Sequence, residues 1–345
     1  GTFELTPRCN FNCNMCYVHQ TEAQAAQGGR RELTTAEWLA IAEEARKAGM
    51  VFLLLTGGEP LLRPDFPELL HALKNMGFLV SVNSNGSLLR GELLEAVKQD
   101  PPLRFNITLY GGSNATYERL CGRAMFQEVV DNLRALKDAG IPVRLNVSVT
   151  PDNKDDVPEI FRLARELGLH TKASTYMYPP VRLDDGRPGD APHRFAPEDA
   201  ARYMLLCREQ QFTLEELRAS AAGVPLSDGD ECTGNAEGEP VLCRAGRSSF
   251  WLTWDGRMIP CGMMASPGTP VLEQGFSAAW RSVRTEVEAI RLPAACAGCA
   301  LRRHCNLCAA SCFAETGDYD RKPDYICSLT HTLCRITREK YGTED

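Results

Sequence analysis

Val51-Phe52-Leu53-Leu54-Leu55-Thr56-Gly57-Gly58-Glu59-Pro60 is an unbroken apolar run that ends in a glycine turn. Such a run reads as a strand buried on both faces, the usual condition in a parallel sheet. An amphipathic helix over 34–48 precedes it, with Glu37 three residues after Thr34 as a capping box and Gly49 as a stop. A helix over 65–76 follows and ends at Gly77. The alternation extends both ways: strands over 2–6, 78–82, 103–109, 143–149 and 169–176, helices over 88–98, 127–139 and 156–167. Six β–α units with short connections imply parallel strands and right-handed crossovers, in an open doubly wound sheet or a barrel. Cysteines follow the first strand where a dinucleotide fold would place glycines. The expected fold is therefore α/β, a partial (β/α)6 TIM-like barrel, followed by a small Cys-rich domain.

The 345 residues are 43% apolar and 24% charged, ordinary for a globular protein. A formal charge of -7 disfavours nucleic acid as a main partner, because neutralising phosphates needs a basic face. No apolar run approaches the ~20 residues of a membrane span. With no signal segment either, the expected location is the cytoplasm. Fifteen cysteines are unusual, and an odd count in a reducing compartment points to metal rather than disulfides. Ten lie after Cys207 and three near the N-terminus; Cys121 and Cys207 read as buried core thiols.

The N-terminal group is Cys9-Asn10-Phe11-Asn12-Cys13-Asn14-Met15-Cys16, a C-x3-C-x2-C spacing without a fourth cysteine nearby. An iron–sulfur cluster takes four thiolates, so three leave one iron open to another ligand. As a bare pattern the group also suits a partial zinc site or buried thiols. The turn Gly57-Gly58-Glu59-Pro60 falls on the same strand-exit rim, where a β/α barrel carries its chemistry. Glycines there let a ligand approach the backbone, and Glu59 is a hydrogen-bond acceptor.

C-x3-C-x2-C after strand one with Gly-Gly-Glu-Pro after strand two resembles the radical S-adenosylmethionine (SAM) superfamily. The resemblance implies that Cys9, Cys13 and Cys16 hold a [4Fe-4S] cluster whose open iron binds SAM. Reductive cleavage of SAM would then yield a 5′-deoxyadenosyl radical. It further implies SAM contacts from Gly57, Gly58, Glu59 and Pro60. Asn85, in an Asn-Gly turn after strand three, and Thr108, at the end of strand four, occupy two further SAM-contact positions. Met15 stands where the family often has an aromatic residue, and Tyr110 where it has an acid. Arg119 and Arg123 read as solvated helix charges.

The late cysteines carry a second pattern. Phe250 to Ile259 reads as a hairpin turning at Asp255-Gly256, between Cys243 and Cys261. Cys296, Cys299, Cys305, Cys308, Cys312, Cys327 and Cys334 follow. Paired zinc ribbons are the bland reading of repeated C-x2-C. The order C-x12-G-x4-C, then C-x2-C-x5-C, resembles the SPASM extension of radical SAM peptide-modifying enzymes. That implies two auxiliary [4Fe-4S] clusters held by Cys243, Cys261, Cys296, Cys299, Cys305 and Cys327, with Cys232 completing the first. The fourth cysteine of the pattern would fall on Ala309, so Cys308 or Cys312 replaces it; Cys334 is spare. The expected organisation is a barrel over 1–178, a loop and helix linker over 179–239, and a SPASM-type domain over 240–345.

By this resemblance the chain is a peptide maturase that takes a hydrogen atom from a ribosomal precursor peptide to install a thioether or C–C crosslink. A flavodoxin or ferredoxin would be its electron donor. One alternative is a sulfatase-type maturase making formylglycine. Those enzymes carry an aspartate right after the cysteine of G-x4-C, and here Gly262 follows Cys261. A third reading, an electron-transfer or metal-binding scaffold, does not explain why the first set stops at three cysteines. The stretch 176–195, with Tyr176, Tyr178, Arg182, Asp184, Asp185 and His193, is a candidate substrate mouth, although each residue alone reads as solvated loop. No catalytic acid or base stands out.

Overall fold

A computed structural model describes residues 1–226 and 243–342. Six strands, β1 (Thr2–Glu4), β2 (Phe52–Thr56), β3 (Leu79–Ser84), β4 (Arg104–Thr108), β5 (Val143–Ser148) and β6 (His170–Ser174), pair in sequence and in parallel. Between them run α1 (Glu22–Ala26), α2 (Thr35–Lys47), α3 (Phe66–Asn75), α4 (Gly91–Gln99), α5 (Asn114–Cys121), α6 (Phe126–Asp138) and α7 (Val157–Leu167). The sheet order, β6-β5-β4-β3-β2-β1, leaves β6 unpaired with β1, so the barrel is partial, as expected.

The capping box expected at Thr34 and Glu37 is present, and Gly168 ends α7 with φ 64°. One strand face feeds the core. Phe3, Leu53, Leu55, Val80, Val82, Phe105, Ile107, Leu145 and Val147 are buried, and Phe3 stacks on Trp38 of α2 at 4.9 Å. Burying one such side chain stabilises the fold by roughly 2–3 kcal/mol. The opposite face lines the lumen and is largely polar: Glu4, Ser81, Asn83, Asn106 and Asn146. The apolar run at 51–55 is therefore not buried on both faces. Phe52 is 65% exposed, because the foot of the lumen is open.

The helical part of the expected 179–239 linker is two helices, α8 (Pro197–Gln211) and α9 (Leu214–Ala221), the second started by a capping box at Thr213. The hairpin at Asp255-Gly256 forms as β7 (Trp251–Leu252) and β8 (Arg257–Ile259), with Trp251 opposite Ile259. Then come β9 (Thr269–Pro270), α10 (Val271–Gln274), α11 (Phe276–Ala289), α12 (Ala309–Thr316) and α13 (Asp324–Tyr341). β7 pairs in parallel with β1, Thr2 beside Trp251, so the sheet runs on past the boundary expected near 240. α13 packs on α8 through Leu333, Ala201 and Leu205, and also lies against α9. Cys232 and the last part of the expected linker, 227–239, lie outside the described residues.

Candidate functional site

The loop carrying Cys9, Cys13 and Cys16 leaves β1 at the rim and is seated on the end of α5. Asn12 N–H donates to the Cys121 carbonyl (2.9 Å) and Asn14 N–H to the Leu120 carbonyl (3.0 Å). Those carbonyls are the unpaired acceptors of a helix C-terminus, so helix end and loop satisfy each other. Phe11 anchors the loop in the core, edge-on to Tyr110 (6.1 Å) and Tyr117 (6.3 Å).

Each thiol is held away from bulk water. Burial pushes Cys9 up to about 12 and Cys16 up to about 11. Cys13 is raised further, first by a side-chain hydrogen bond with Cys121 and then by burial. Tyr110 also hydrogen-bonds Cys13. Cys9 Sγ accepts from Phe11 N–H at 3.4 Å and from Asn85 Nδ2 at 3.9 Å. No spacing rule connects Cys121 to this site, since α5 itself was not foreseen.

Gly57 and Gly58 press the second rim turn against the start of the cysteine loop. Gly58 N–H donates to the Thr6 carbonyl and Glu59 N–H to the Arg8 carbonyl, both at 2.8 Å. A Cβ on Gly58 would stand 2.3 Å from the Arg8 carbonyl oxygen, and one on Gly57 2.6 Å from that of Thr6. The packing of one backbone on the other thus requires glycine at both positions. Pro60 is buried at the first position of a 3-10 turn. Glu59 is fully buried. Its Oε1 accepts from Leu61 N–H (3.1 Å) and Ser84 Oγ (2.9 Å), and its Oε2 from Asn85 N–H (2.7 Å). Burial nevertheless pushes its carboxyl up to about 7.

Thr108 stands half-buried at the end of β4, in register with Asn146 of β5. Arg119 donates to the Asp152 carbonyl from Nε at 3.2 Å and ties α5 to the loop after β5, while Arg123 is exposed. The stretch after β6 is not a free surface loop. Arg182 pairs with Glu4 in the lumen, and Tyr176 Oη donates to Glu315 of α12 at 2.6 Å. Arg194 pairs with Glu315 at 2.6 Å. Tyr178 is half-buried, with Oη 3.9 Å from Cys308 Sγ. His193 is half-exposed, 3.9 Å from Asp152 Oδ2, and Asp184 faces Arg30 at 3.7 Å.

The C-terminal cysteines fall into two neighbourhoods. Cys296, Cys299, Cys305 and Cys327 line one small cavity, walled by Leu301, Leu307 and Ile326. Cys308 begins α12, where Ser311 N–H donates to its Sγ at 3.4 Å, and its sulfur faces Tyr178, which also has Cys261 for a neighbour. Cys312, one turn on, is fully buried, and burial pushes its thiol up. Among the described residues no three His, Cys, Asp or Glu side chains converge on a point suited to one metal ion. All-thiol donor sets suit iron–sulfur clusters as well as zinc. Three thiols on one loop, with neither carboxylate nor imidazole joining them, fit a cluster with one open iron. Gly262 packs beneath Trp251, where a Cβ would meet the indole at 2.7 Å.

No helix among the described residues is long and apolar enough to cross a membrane. The AdoMet-dependent heme synthase of Methanosarcina barkeri is 26% identical over 336 residues, 94% of either chain. A probable GTP 3',8-cyclase of Saccharolobus solfataricus is 33% identical over 168 residues, 48% of this chain and 53% of that one. Two solved structures share the fold. anSMEcpe with bound AdoMet superposes with a TM-score of 0.71 at 14% identity, covering 99% of this chain and 97% of that one. SuiB of Streptococcus suis gives a TM-score of 0.69 at 15% identity, covering 94% of this chain and 76% of that one. SuiB has also been solved bound to the precursor peptide SuiA, and anSMEcpe bound to AdoMet and the Cp18Cys peptide. Residues 3–179 match the profile described as the Radical SAM superfamily, and the chain belongs to that superfamily.

Proposed function

We propose that the chain is a radical SAM maturase acting on a precursor peptide and fed by a small electron-transfer protein of the flavodoxin or ferredoxin kind. The observation that supports this best is the shared sheet: β7, between Cys243 and Cys261, lies directly beside β1, which leads into Cys9, Cys13 and Cys16. When bound, a reduced [4Fe-4S] cluster supplies the electron that cleaves SAM, and SAM supplies the 5′-deoxyadenosyl radical that takes hydrogen from the substrate. The chain's own residues position and shield. Phe11, Tyr110 and Tyr117 wall the cysteine loop off from water. Gly57, Gly58 and Pro60 shape the neighbouring turn, and Thr108 faces the lumen at SAM depth by the family pattern. Cys243, Cys261 and Cys308 would hold one auxiliary cluster, with Cys232 as the proposed fourth ligand; Cys296, Cys299, Cys305 and Cys327 would hold the other. The packing of Gly262 under Trp251 leaves no space for an acid after Cys261, which weighs against the sulfatase-type alternative.

A second reading takes a tetrapyrrole as substrate. It is favoured by the full-length similarity to a heme synthase. One anaerobic experiment separates the two. Reconstituted enzyme, SAM and a reductant would meet either the short peptide encoded beside the gene or a carboxylated tetrapyrrole, followed by mass spectrometry. Loss of two hydrogens from the peptide with formation of 5′-deoxyadenosine is the expected result. A changed tetrapyrrole mass with an unchanged peptide would select the second reading. Absence of 5′-deoxyadenosine with all clusters intact would reject both.

A further inference from the structure

Of the two residues that the family pattern assigns to SAM after strands two and three, Asn85 has its whole hydrogen-bonding capacity committed elsewhere, and Glu59 already accepts three hydrogen bonds from the protein. Asn85 is 5% exposed. Its Oδ1 accepts from Ser87 N–H (2.9 Å) and Ser87 Oγ (2.7 Å). A backbone N–H can only donate, so this contact fixes which end of the amide is oxygen. The NH2 end must then face the cysteine loop. Its two hydrogens go to Asn10 Oδ1 (2.9 Å) and Cys9 Sγ (3.9 Å). Asn10 closes the ring by donating from Nδ2 to Ser87 Oγ at 2.9 Å. An asparagine side chain offers two donor hydrogens and two acceptor lone pairs, and all four are used. Glu59 has no exposed surface, and it holds Asn85 in place through the backbone N–H at 2.7 Å.

We infer that Asn85 is a positioning residue for the cluster, donating an N–H···S hydrogen bond to the Cys9 ligand, that Glu59 anchors this donor, and that neither side chain touches SAM. This rests on the radical SAM reading of the Cys9, Cys13 and Cys16 site. Hydrogen bonds to cluster sulfurs are among the terms that set a cluster's reduction potential. A donor's positive end favours the more negative, reduced state, so Asn85 raises the potential of the cluster. It also orients Cys9 for ligation, as partners behind a metal ligand commonly do.

The test uses the anaerobically reconstituted full chain. The cluster signal that changes when SAM is added is followed by EPR during a potentiometric titration, and SAM affinity is measured separately. Asn85→Ala should shift the midpoint to more negative potential and leave the SAM Kd within about twofold, since no SAM contact is lost. An unchanged midpoint overturns the inference. So does a weakened SAM Kd with an unchanged midpoint, which would make Asn85 a SAM contact. If Asn85→Ala holds no iron at this site, unaltered enzyme carrying 15N in its asparagine side-chain amides decides. Nitrogen modulation of the SAM-responsive pulsed EPR signal supports the bond, and its absence overturns it. A native enzyme with no SAM-responsive cluster signal would instead defeat the underlying radical SAM reading, a separate outcome.

Discussion

Arg182 reaches back across the lumen to Glu4, with Nη2 to Oε2 at 2.8 Å and side chains 11% and 4% exposed. Trp251 Nε1 donates to the same carboxylate oxygen at 2.6 Å, and Arg182 Nη1 donates to the Gly262 carbonyl at 3.0 Å. One ion pair thus joins the first strand, the segment after the sixth, and the hairpin that leads to Cys261.

Arg182→Met should therefore destabilise the fold strongly. It leaves Glu4 buried with only the Trp251 donor, and breaking a buried pair from one side costs about 3–5 kcal/mol. Adding Glu4→Gln removes the stranded charge while keeping an acceptor for Trp251, so the double variant should regain much of the loss. Urea denaturation of the four members of this cycle checks it. Additive single and double losses would show that the pair contributes no coupling.

Gly58→Ala tests the contact between the two rim turns. The added methyl would meet backbone, the Arg8 carbonyl oxygen at 2.3 Å and carbon at 2.6 Å, so the cysteine loop must shift. The expected cost is about 2–3 kcal/mol, typical of enforced strain. Iron bound at the Cys9, Cys13 and Cys16 site should fall while auxiliary iron stays. Full iron loading with unchanged stability would show that the turns are not interlocked.

How far the sequence carried depended on whether a feature was local. The alternating strands and helices, the capping box at Thr34 and the hairpin at Asp255-Gly256 all follow from residues near one another, and each was legible. The parallel pairing of β7 with β1 joins residues some 250 apart in the chain, and no periodicity encodes it. Likewise, Glu59 was legible as an acceptor in a rim turn. That its acceptors are met by Leu61, Ser84 and Asn85 depends on how two loops meet in space. Cys121 read as a core thiol, and it is buried; that it lies against Cys13 follows from α5 ending beneath the cysteine loop. The apolar run at 51–55 misled because apolar composition alone does not distinguish a covered strand end from an open one.

Glu59 also makes the stability of the cluster-free chain depend on pH in an unusual direction. Burial raises its carboxyl from 4.5 to about 7. Between those values the folded state holds a proton that the unfolded state has released, so stability falls as pH rises through the window. The shift corresponds to a loss on the order of 3 kcal/mol, complete above about pH 7. Glu59→Gln cannot titrate. Its unfolding free energy should therefore change less between pH 4.5 and pH 7 than that of the unaltered chain, whatever its constant offset. Parallel pH profiles for the two would place the carboxyl at an ordinary value.

What surrounds each sulfur predicts that Cys308, not Cys312, serves as the ligand. Cys308 is the N-cap of α12, where Ser311 N–H points at its Sγ from 3.4 Å. A helix N-terminus favours negative charge beside it, so a metal-bound sulfur at this place is stabilised by the helix end. Cys312 lies one turn into the same helix, has no exposed surface, and burial opposes its ionisation. Deprotonation must accompany ligation, which gives Cys308 the advantage. Cys308→Ala should thus lose about four irons and the matching EPR signal, with the SAM-responsive cluster kept. Cys312→Ala should keep its iron and lose only packing, about 1–2 kcal/mol for a small buried side chain. Iron analysis and EPR of the two variants check the assignment, and the reverse pattern would transfer the ligand role to Cys312.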